Sequence, residues 1–211
     1  MCPAATPERP IRADARRNRG RVLAAARECF GRDGIEAQMD DVASCADVGV
    51  GTVYRHFETK DALVEALADD YFAGEAAIAE RALEVEDAWE AFSGFMRQGA
   101  QLLAANRALA QISADRPELM KNAAVKADAE LGFFGTLEEL IARAKDAGVL
   151  REDFQLEDIP AIMCSLGALQ ISRGAYANWP RVLEMVLDGL RASTTADLPS
   201  IRTRLPREAR V

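Results

Sequence analysis

Side chains suited to binding another molecule are concentrated between residues 50 and 57. Val53 and Phe57 are spaced as the apolar face of a short helix, which turns the neighbouring residues outward. The predicted outward-facing residues are Val50, Gly51, Thr52, Tyr54 and His56. Small residues allow a close approach to base edges, and hydroxyl and imidazole groups can bond to phosphates. The pattern therefore favours contact with the major groove of DNA.

Two further helices are needed to hold this one in place. Apolar residues at helical spacing over residues 22–30 predict a first helix, which ends at the Gly-x-x-Gly of residues 31–34. The acidic pair at residues 40–41 opens a second helix, because carboxylates favour a helix N-terminus. Residues 47–49 then form a turn before the third helix over residues 51–57. This order predicts a helix-turn-helix.

Residues 16–67 resemble the N-terminal domain of the TetR family of transcriptional regulators, and the positions agree in register. The matching residues are Ala25, Phe30, Gly34, Val42, Ala43, Val48, Gly51, Thr52, Val53, Tyr54, His56, Phe57, Lys60 and Leu63. The resemblance implies that Thr52, Tyr54 and Lys60 contact phosphates. The full set of expected DNA contacts is Arg16, Arg17, Arg19, Gln38, Val50, Gly51, Thr52, Tyr54, His56 and Lys60.

Two positions depart from the family's usual pattern. Asp47 stands in the turn where the family usually has glycine, and aspartate tolerates a left-handed backbone better than most residues. Val50 stands where the family often has Lys, Ser or Gln on the recognition helix. Since valine donates no hydrogen bond, its expected DNA contact is the methyl group of thymine.

The charge is unevenly distributed along the 211 residues. The whole chain carries −8, yet residues 1–27 hold seven Arg against two acidic residues and so carry +5. The remaining residues therefore carry −13. A basic segment directly before a DNA-binding helix favours contact with phosphates or the minor groove, and an acidic body repels DNA elsewhere. The alternative is that the arginines form only a solvated basic tail.

The chain beyond residue 60 is predicted to be helical almost throughout, with breaks at Asn106 and before Pro117. A long helix is expected over residues 117–147, an eighth helix over 157–178 and a ninth over 180–192. The fold class is therefore all-α, with about nine helices. The expected organisation is a flexible N-terminal arm (1–12), a helix-turn-helix domain (13–60), a helical regulatory and dimerisation domain (61–192) and a disordered tail (193–211).

By the same resemblance, the later helices would surround a cavity for an effector. The expected ligand-binding residues are Trp89, Phe92, Met96, Phe133, Phe134, Met163, Leu166, Gly167 and Tyr176, with Gln98, Gln101, Asn106 and Tyr176 as candidate polar anchors. No Arg or Lys lies on the inward faces of residues 89–103 and 133–144, so the predicted effector is largely apolar and uncharged or weakly cationic. The alternative is that these side chains are ordinary core.

A homodimer through helices eight and nine is predicted from two apolar surfaces. Residues 162–170 are apolar on more than one side, and residues 182–190 carry a further apolar stripe. The leading interpretation is a ligand-responsive transcriptional repressor that leaves its operator DNA when it binds a small apolar effector. The alternative is a DNA-binding regulator without a small ligand, controlled by a protein partner.

The residues that catalysis or metal binding would need are scarce. Cys2, Cys29, Cys45 and Cys164 form no Cys-x-x-Cys pair, and His56 is the only histidine, so neither a metal site nor a cofactor is predicted. No Ser-His-Asp or Cys-His arrangement can be proposed, which argues against an enzyme. No apolar run approaches the roughly 18 residues that span a bilayer, so the expectation is a cytoplasmic protein without a membrane partner.

Overall fold

The computed structural model describes residues 9–171, 178–193 and 198–199, with side chains from residue 17 onward. Ten helices occupy most of that part of the chain. They are α1 (Arg9–Asp33), α2 (Met39–Ala46), α3 (Val50–His56), α4 (Lys60–Leu83), α5 (Ala88–Ala104), α6 (Arg107–Asp115), α7 (Pro117–Leu131), α8 (Phe133–Asp146), α9 (Asp158–Ile171) and α10 (Trp179–Gly189). The described residues contain no strand, and the all-α prediction is confirmed.

The chain divides into two compact units, residues 1–67 and 68–211, and the division falls within α4. In the first unit, α1 packs against α2, and α2 packs against α3. The apolar side chains buried in this unit include Val22, Ala26, Cys29, Phe30, Val42, Val53, Phe57, Leu63 and Val64. Helix α1 begins at Arg9, inside the segment that the sequence assigned to a flexible arm.

The turn between α2 and α3 depends on a left-handed residue. Asp47 has φ 52° and ψ 50°, the backbone conformation that the sequence comparison expected an aspartate to tolerate there. The amide of Val48 donates to the Ala43 carbonyl at 3.1 Å and so satisfies a carbonyl at the end of α2. Gly49 then precedes α3 in an extended conformation. This geometry fixes where α3 begins.

In the second unit, α5 contacts α8 and α9, and α6 contacts α9. The largest fully buried side chains here are Phe92, Phe95, Met96, Leu109, Ile112, Leu140, Leu150, Phe154 and Leu166. Asp87 caps α5 by accepting a hydrogen bond from the Glu90 amide at 2.8 Å. Buried Arg151 donates to the Asp153 carboxylate at 2.9 Å and to the Gly189 carbonyl at 3.3 Å, which ties the end of α10 to the segment after α8.

The single long helix predicted over residues 117–147 is wrong, because Gly132 divides it. Gly132 has φ 66°, and its amide closes α7 by donating to the Asp128 carbonyl at 2.8 Å. The Asp128 carboxylate in turn accepts from the Phe134 amide at 2.8 Å in the first turn of α8. Glycine adopts this left-handed conformation without the steric cost that other residues bear. Two helices therefore replace the predicted one.

The last two helices are α9 and α10. The predicted eighth helix corresponds to α9, and residues 172–177, over which that prediction continued, lie outside the described residues, as does most of the predicted tail. The predicted ninth helix corresponds to α10, which ends at Gly189 because the chain turns there to pair Arg191 with Leu150. None of the helices in the described part of the chain is long and apolar enough to cross a membrane.

Candidate DNA interface and helical-domain cavity

Helix α3 carries the side chains that the sequence analysis predicted to face outward. Val53 is fully buried, whereas Tyr54 is 49% exposed and Val50 is 39% exposed. Gly51 is exposed and Thr52 is half-buried. Val50 and Tyr54 are two of the few large apolar or aromatic side chains exposed in the described residues. An exposed face of this kind, on a helix held by a helix-turn-helix, can reach base edges and phosphates.

His56 differs from the expectation that it points outward. The residue is half-buried, and its Nε2 atom is buried without a hydrogen-bond partner. Burial, assisted by the positive charges of Arg55 and Arg19, lowers the pKa of His56 below its ordinary value of 6.5. The ring is therefore neutral at pH 7 and adds no positive charge to this surface.

Two basic residues are positioned by aromatic rings of the first unit. The Arg19 guanidinium lies 4.9 Å from the centroid of the Phe57 ring, and the Lys60 ammonium lies 5.9 Å from that of Phe30. Such cation–π contacts hold a charge in place without neutralising it. Arg17 is exposed on α1, and the side chain of Arg16 lies outside the described residues.

Gln38 and Arg21 form hydrogen bonds at the two ends of helix α2. The backbone amide of Gln38 donates to the Asp41 carboxylate at 2.7 Å. Its side-chain nitrogen, Nε2, donates to the Glu36 carbonyl at 2.6 Å. Arg21 donates to the Ala46 carbonyl at 3.1 Å and so stabilises the C-terminal end of α2. The sequence had placed Gln38 among the DNA contacts and had assigned no role to Arg21.

The second unit contains a cavity of about 320 Å³ among α4, α5, α6, α7, α8 and α9. Its apolar wall is formed by Tyr71, Phe72, Phe95, Leu103, Pro117, Met120, Ala124, Val125, Phe133, Phe134, Leu137, Ile159, Pro160 and Met163. Its polar and thiol side chains are those of Glu75, Ser113, Glu118, Lys121 and Cys164. A mostly apolar wall with few polar groups is typical of small-molecule sites.

The carboxylate of Glu75 is the most unusual group of the cavity wall. The residue is only 4% exposed, and its Oε1 atom has no hydrogen-bond partner. Burial raises the pKa of Glu75 to about 7, although a hydrogen bond with Tyr71 opposes that rise. Gly99 of α5 makes room for the carboxylate, since a Cβ atom there would lie 2.9 Å from Oε2.

The other polar groups of the wall have partners. The Lys121 ammonium lies 3.6 Å from the Glu118 carboxylate one turn earlier on α7. The Ser113 hydroxyl and the Cys164 thiol are 3.4 Å apart. Glu75 therefore differs from both pairs in having an unsatisfied oxygen.

Two family descriptions match this chain. "Bacterial regulatory proteins, tetR family" matches residues 22–67, and "Transcriptional regulator SbtR-like, C-terminal domain" matches residues 87–192, half of the chain. The chain belongs to the TetR family of transcriptional regulators. It is thus a DNA-binding regulator of transcription, and the helix-turn-helix over α2 and α3 is its DNA-binding element.

Similar proteins agree with this membership of the TetR family. The TetR transcription regulatory protein from Mycobacterium vanbaalenii is 38% identical, with 86% of this chain and 99% of that chain covered and a TM-score of 0.61. The TetR transcriptional regulator SCO0520 from Streptomyces coelicolor is 27% identical, with 83% and 99% covered and a TM-score of 0.58. The HTH-type transcriptional regulator SAR0097 of Staphylococcus aureus (strain MRSA252) is 39% identical over 64 residues, which is 29% of this chain and 34% of that protein.

In this TetR-family chain, three of the ligand-binding residues expected from the sequence line the cavity: Phe133, Phe134 and Met163. Five others are placed elsewhere, namely Trp89, Phe92, Met96, Leu166 and Gly167. Phe92 packs edge-on against Phe154 at 5.3 Å, and the Trp89 ring lies 4.0 Å from the Arg191 guanidinium. These side chains belong to the packed core of the second unit. Tyr176 lies outside the described residues.

Gly167 and the candidate polar anchors have structural surroundings of their own. A Cβ atom on Gly167 would lie 3.4 Å from Leu103, so the glycine lets α9 pack closely within the unit. Gln98 and Gln101 are exposed, and buried Asn106 caps α6 by accepting from the Leu109 amide at 3.4 Å. None of the three lines the cavity.

The sequence interpretation missed Glu75, although its position carries a signal. On α4, Leu67, Tyr71 and Ile78 are buried and lie at helical spacing on one stripe, and Glu75 occupies the position between Tyr71 and Ile78. A carboxylate inside an apolar stripe is either paired or available to a ligand. A charged residue that interrupts the apolar stripe of a helix is therefore the sequence signal that identifies Glu75.

Proposed function

We propose that this TetR-family chain is a homodimeric repressor that leaves its operator when a small, largely apolar molecule fills the cavity of the second unit. The observation that carries the proposal is the cavity itself. It has about 320 Å³ of space, a wall rich in aromatic side chains and an unsatisfied carboxylate. A packed core lacks the open space and the unsatisfied carboxylate, because cores leave few voids and satisfy their polar groups.

DNA binding in this proposal uses two kinds of contact. Thr52, Tyr54 and Lys60 bond to phosphates, while Arg17 and Arg19 supply a longer-range attraction. Two subunits present their α3 helices about 34–36 Å apart, one turn of the duplex, in the simplest arrangement. Helix α4 carries Lys60 and also the cavity residues Tyr71, Phe72 and Glu75, so a ligand that displaces α4 disturbs a DNA contact.

The experiment that tests the proposal uses DNA selected by the protein from a random pool. Compounds that raise the melting temperature are then added to the protein–DNA complex, because only a ligand of the folded state stabilises it. Coupling of about 1–3 kcal/mol should weaken DNA binding about 5- to 150-fold. If stabilising compounds leave DNA affinity unchanged, control by a protein partner becomes the better account.

Replacing Lys60 by Gln should weaken DNA binding by about 1 kcal/mol, to a similar extent for all sequences. The reason is the loss of one phosphate contact, which should also make the slope of log K against log salt shallower by about one unit. Fluorescence anisotropy at several salt concentrations measures both quantities. Lys145→Gln on α8 is the matched control. Equal salt-dependence slopes for the two variants would show that Lys60 does not contact DNA phosphates.

The proposed dimer interface is the apolar surface of α9 and α10. Met185 is 64% exposed, the most exposed large apolar side chain among the described residues. Ile162, Leu169, Val182 and Val186 are half-buried on the same two helices. Exposed apolar side chains on two helices that contact each other favour a site of association, and two copies of one face form a two-fold interface.

Met185→Gln should shift the protein from dimer toward monomer. A methionine is lost from both copies, so dimerisation should weaken by about 2 kcal/mol, or roughly 30-fold. Analytical ultracentrifugation over a concentration series measures the change against a monomer mass of 22.9 kDa. Leu131→Gln is the control, since Leu131 is 45% exposed on α7. Equal dissociation constants for Met185→Gln and wild type would place the interface on another surface.

A further inference from the structure

The charges on the cavity wall do not cancel. Among the described residues that line it, the acidic and basic side chains are Glu75, Glu118 and Lys121. Lys121 already lies 3.6 Å from Glu118, and both of these side chains are largely exposed. The buried group without a counter-ion is therefore Glu75, and its charge is negative once the carboxyl is ionised.

The surroundings of Glu75 fit a hydrogen-bond donor better than an acceptor. Its unsatisfied Oε1 can only accept when the carboxylate is ionised. The Tyr71 hydroxyl is already its hydrogen-bond partner, and Gly99 packs against the carboxylate from α5. The terminal torsion of glutamate is broad, so a small rotation of the carboxylate can present an oxygen to the cavity. A ligand N–H would then complete its hydrogen bonding.

Aromatic rings line the same cavity as this carboxylate. Phe72 lies edge-on to Phe133 with ring centroids 6.1 Å apart, and Phe133 lies 5.8 Å from Phe134. Tyr71 lies 5.1 Å from Phe72. Aromatic faces attract cations as well as apolar groups. The carboxylate and the rings thus favour the same type of ligand.

We propose that the cavity selects amphipathic cations: a primary or secondary amine donates to Glu75, and its apolar body packs against Phe72, Phe133 and Phe134. This inference rests on the proposed function, since it names the class of effector. A carboxylate ligand of the same shape meets an uncompensated negative charge, which opposes its burial. A neutral alcohol can donate to Glu75 but brings no positive charge to balance the carboxylate, so its buried negative charge stays without a counter-ion.

The test compares three probes that differ only in the polar group: 4-phenylbutylamine, 4-phenylbutan-1-ol and 5-phenylpentanoate. Their dissociation constants for the full-length protein are measured by calorimetry at pH 8. The amine should bind at least about tenfold more tightly than the alcohol, and the carboxylate should bind most weakly. Glu75→Gln should remove the advantage of the amine and leave the alcohol within about twofold of its wild-type affinity. Glu139→Gln is the control and should keep the preference, because Glu139 is an exposed carboxylate of α8 that does not line the cavity.

The other outcomes contradict either the ligand class, the role of Glu75 or the effector cavity itself. Equal binding of the amine and the alcohol, or tighter binding of the carboxylate, contradicts the ligand class but leaves the effector cavity intact. An amine preference that persists in Glu75→Gln contradicts the role of that residue. If none of the three probes binds, both the ligand class and the proposed effector cavity fail.

Discussion

Glu75→Gln should stabilise the protein by about 3 kcal/mol at pH 8 and by only about 1 kcal/mol at pH 5. Burial raises the pKa of Glu75 from 4.5 to about 7 in the folded state. The folded protein therefore holds this proton between pH 4.5 and 7, where the unfolded chain releases it. Wild-type stability is lowered as pH rises through that window, and glutamine, which does not titrate, avoids the loss.

Urea denaturation of both proteins at pH 5, 6, 7 and 8 measures this difference, at one protein concentration because dimerisation contributes to stability. Glu118→Gln is the matched control, since it removes an exposed carboxylate of the same cavity. Its stability should follow that of the wild type. Parallel curves for Glu75→Gln and wild type would mean that the Glu75 carboxylate is hydrated in the folded state.

Gly51→Glu should weaken DNA binding on the order of a hundredfold, or about 3 kcal/mol, without unfolding the protein. Gly51 is exposed on α3, and a Cβ atom there meets no atom within 4 Å. The substitution therefore fits the folded chain, and replacing glycine within a helix favours the helix. In the proposed complex a carboxylate at this position would lie close to the phosphates of the duplex, whose negative charge repels it.

Anisotropy with selected DNA measures the loss of binding, and thermal unfolding shows that the fold is kept. Gly135→Glu provides the control, because Gly135 is an exposed glycine of α8 whose Cβ position is equally open. It adds the same charge to the second unit. Similar DNA affinities for the two variants would show that the negative charge acts at long range and that α3 does not contact the duplex.

The sequence predicted the DNA-binding element well because that element is specified locally. The spacing of Val53 and Phe57 determines which face of α3 is buried, and both are buried as expected. Asp47 adopts the left-handed conformation expected of it. His56 departs from the expectation, because helical spacing gives the direction of a side chain but not the packing that covers its outer atoms.

The cavity was harder to predict from sequence. Helical spacing indicates which side chains face inward, but an inward-facing side chain can either pack in the core or border an open cavity. Phe92 and Phe133 are both aromatic and both buried, yet Phe92 packs against Phe154 whereas Phe133 borders the cavity. That difference depends on residues far apart in sequence. The division at Gly132, by contrast, left a local signal. The signal is Gly132 itself, because glycine is the residue that most often takes the left-handed conformation directly after the last turn of a helix.

Helix α1 gives the basic segment an advantage that a flexible arm would lack. Its backbone is helical from Arg9, so the main chain that carries Arg17 and Arg19 is ordered before any DNA is present. Fixing the backbone of one residue costs about 1–2 kcal/mol in conformational entropy. An arm that became ordered only on the duplex would lose that amount for each residue and would bind more weakly for the same number of charges. In α1 the ordering accompanies folding, so in the proposed DNA complex the arginines would be held with little entropic loss on binding.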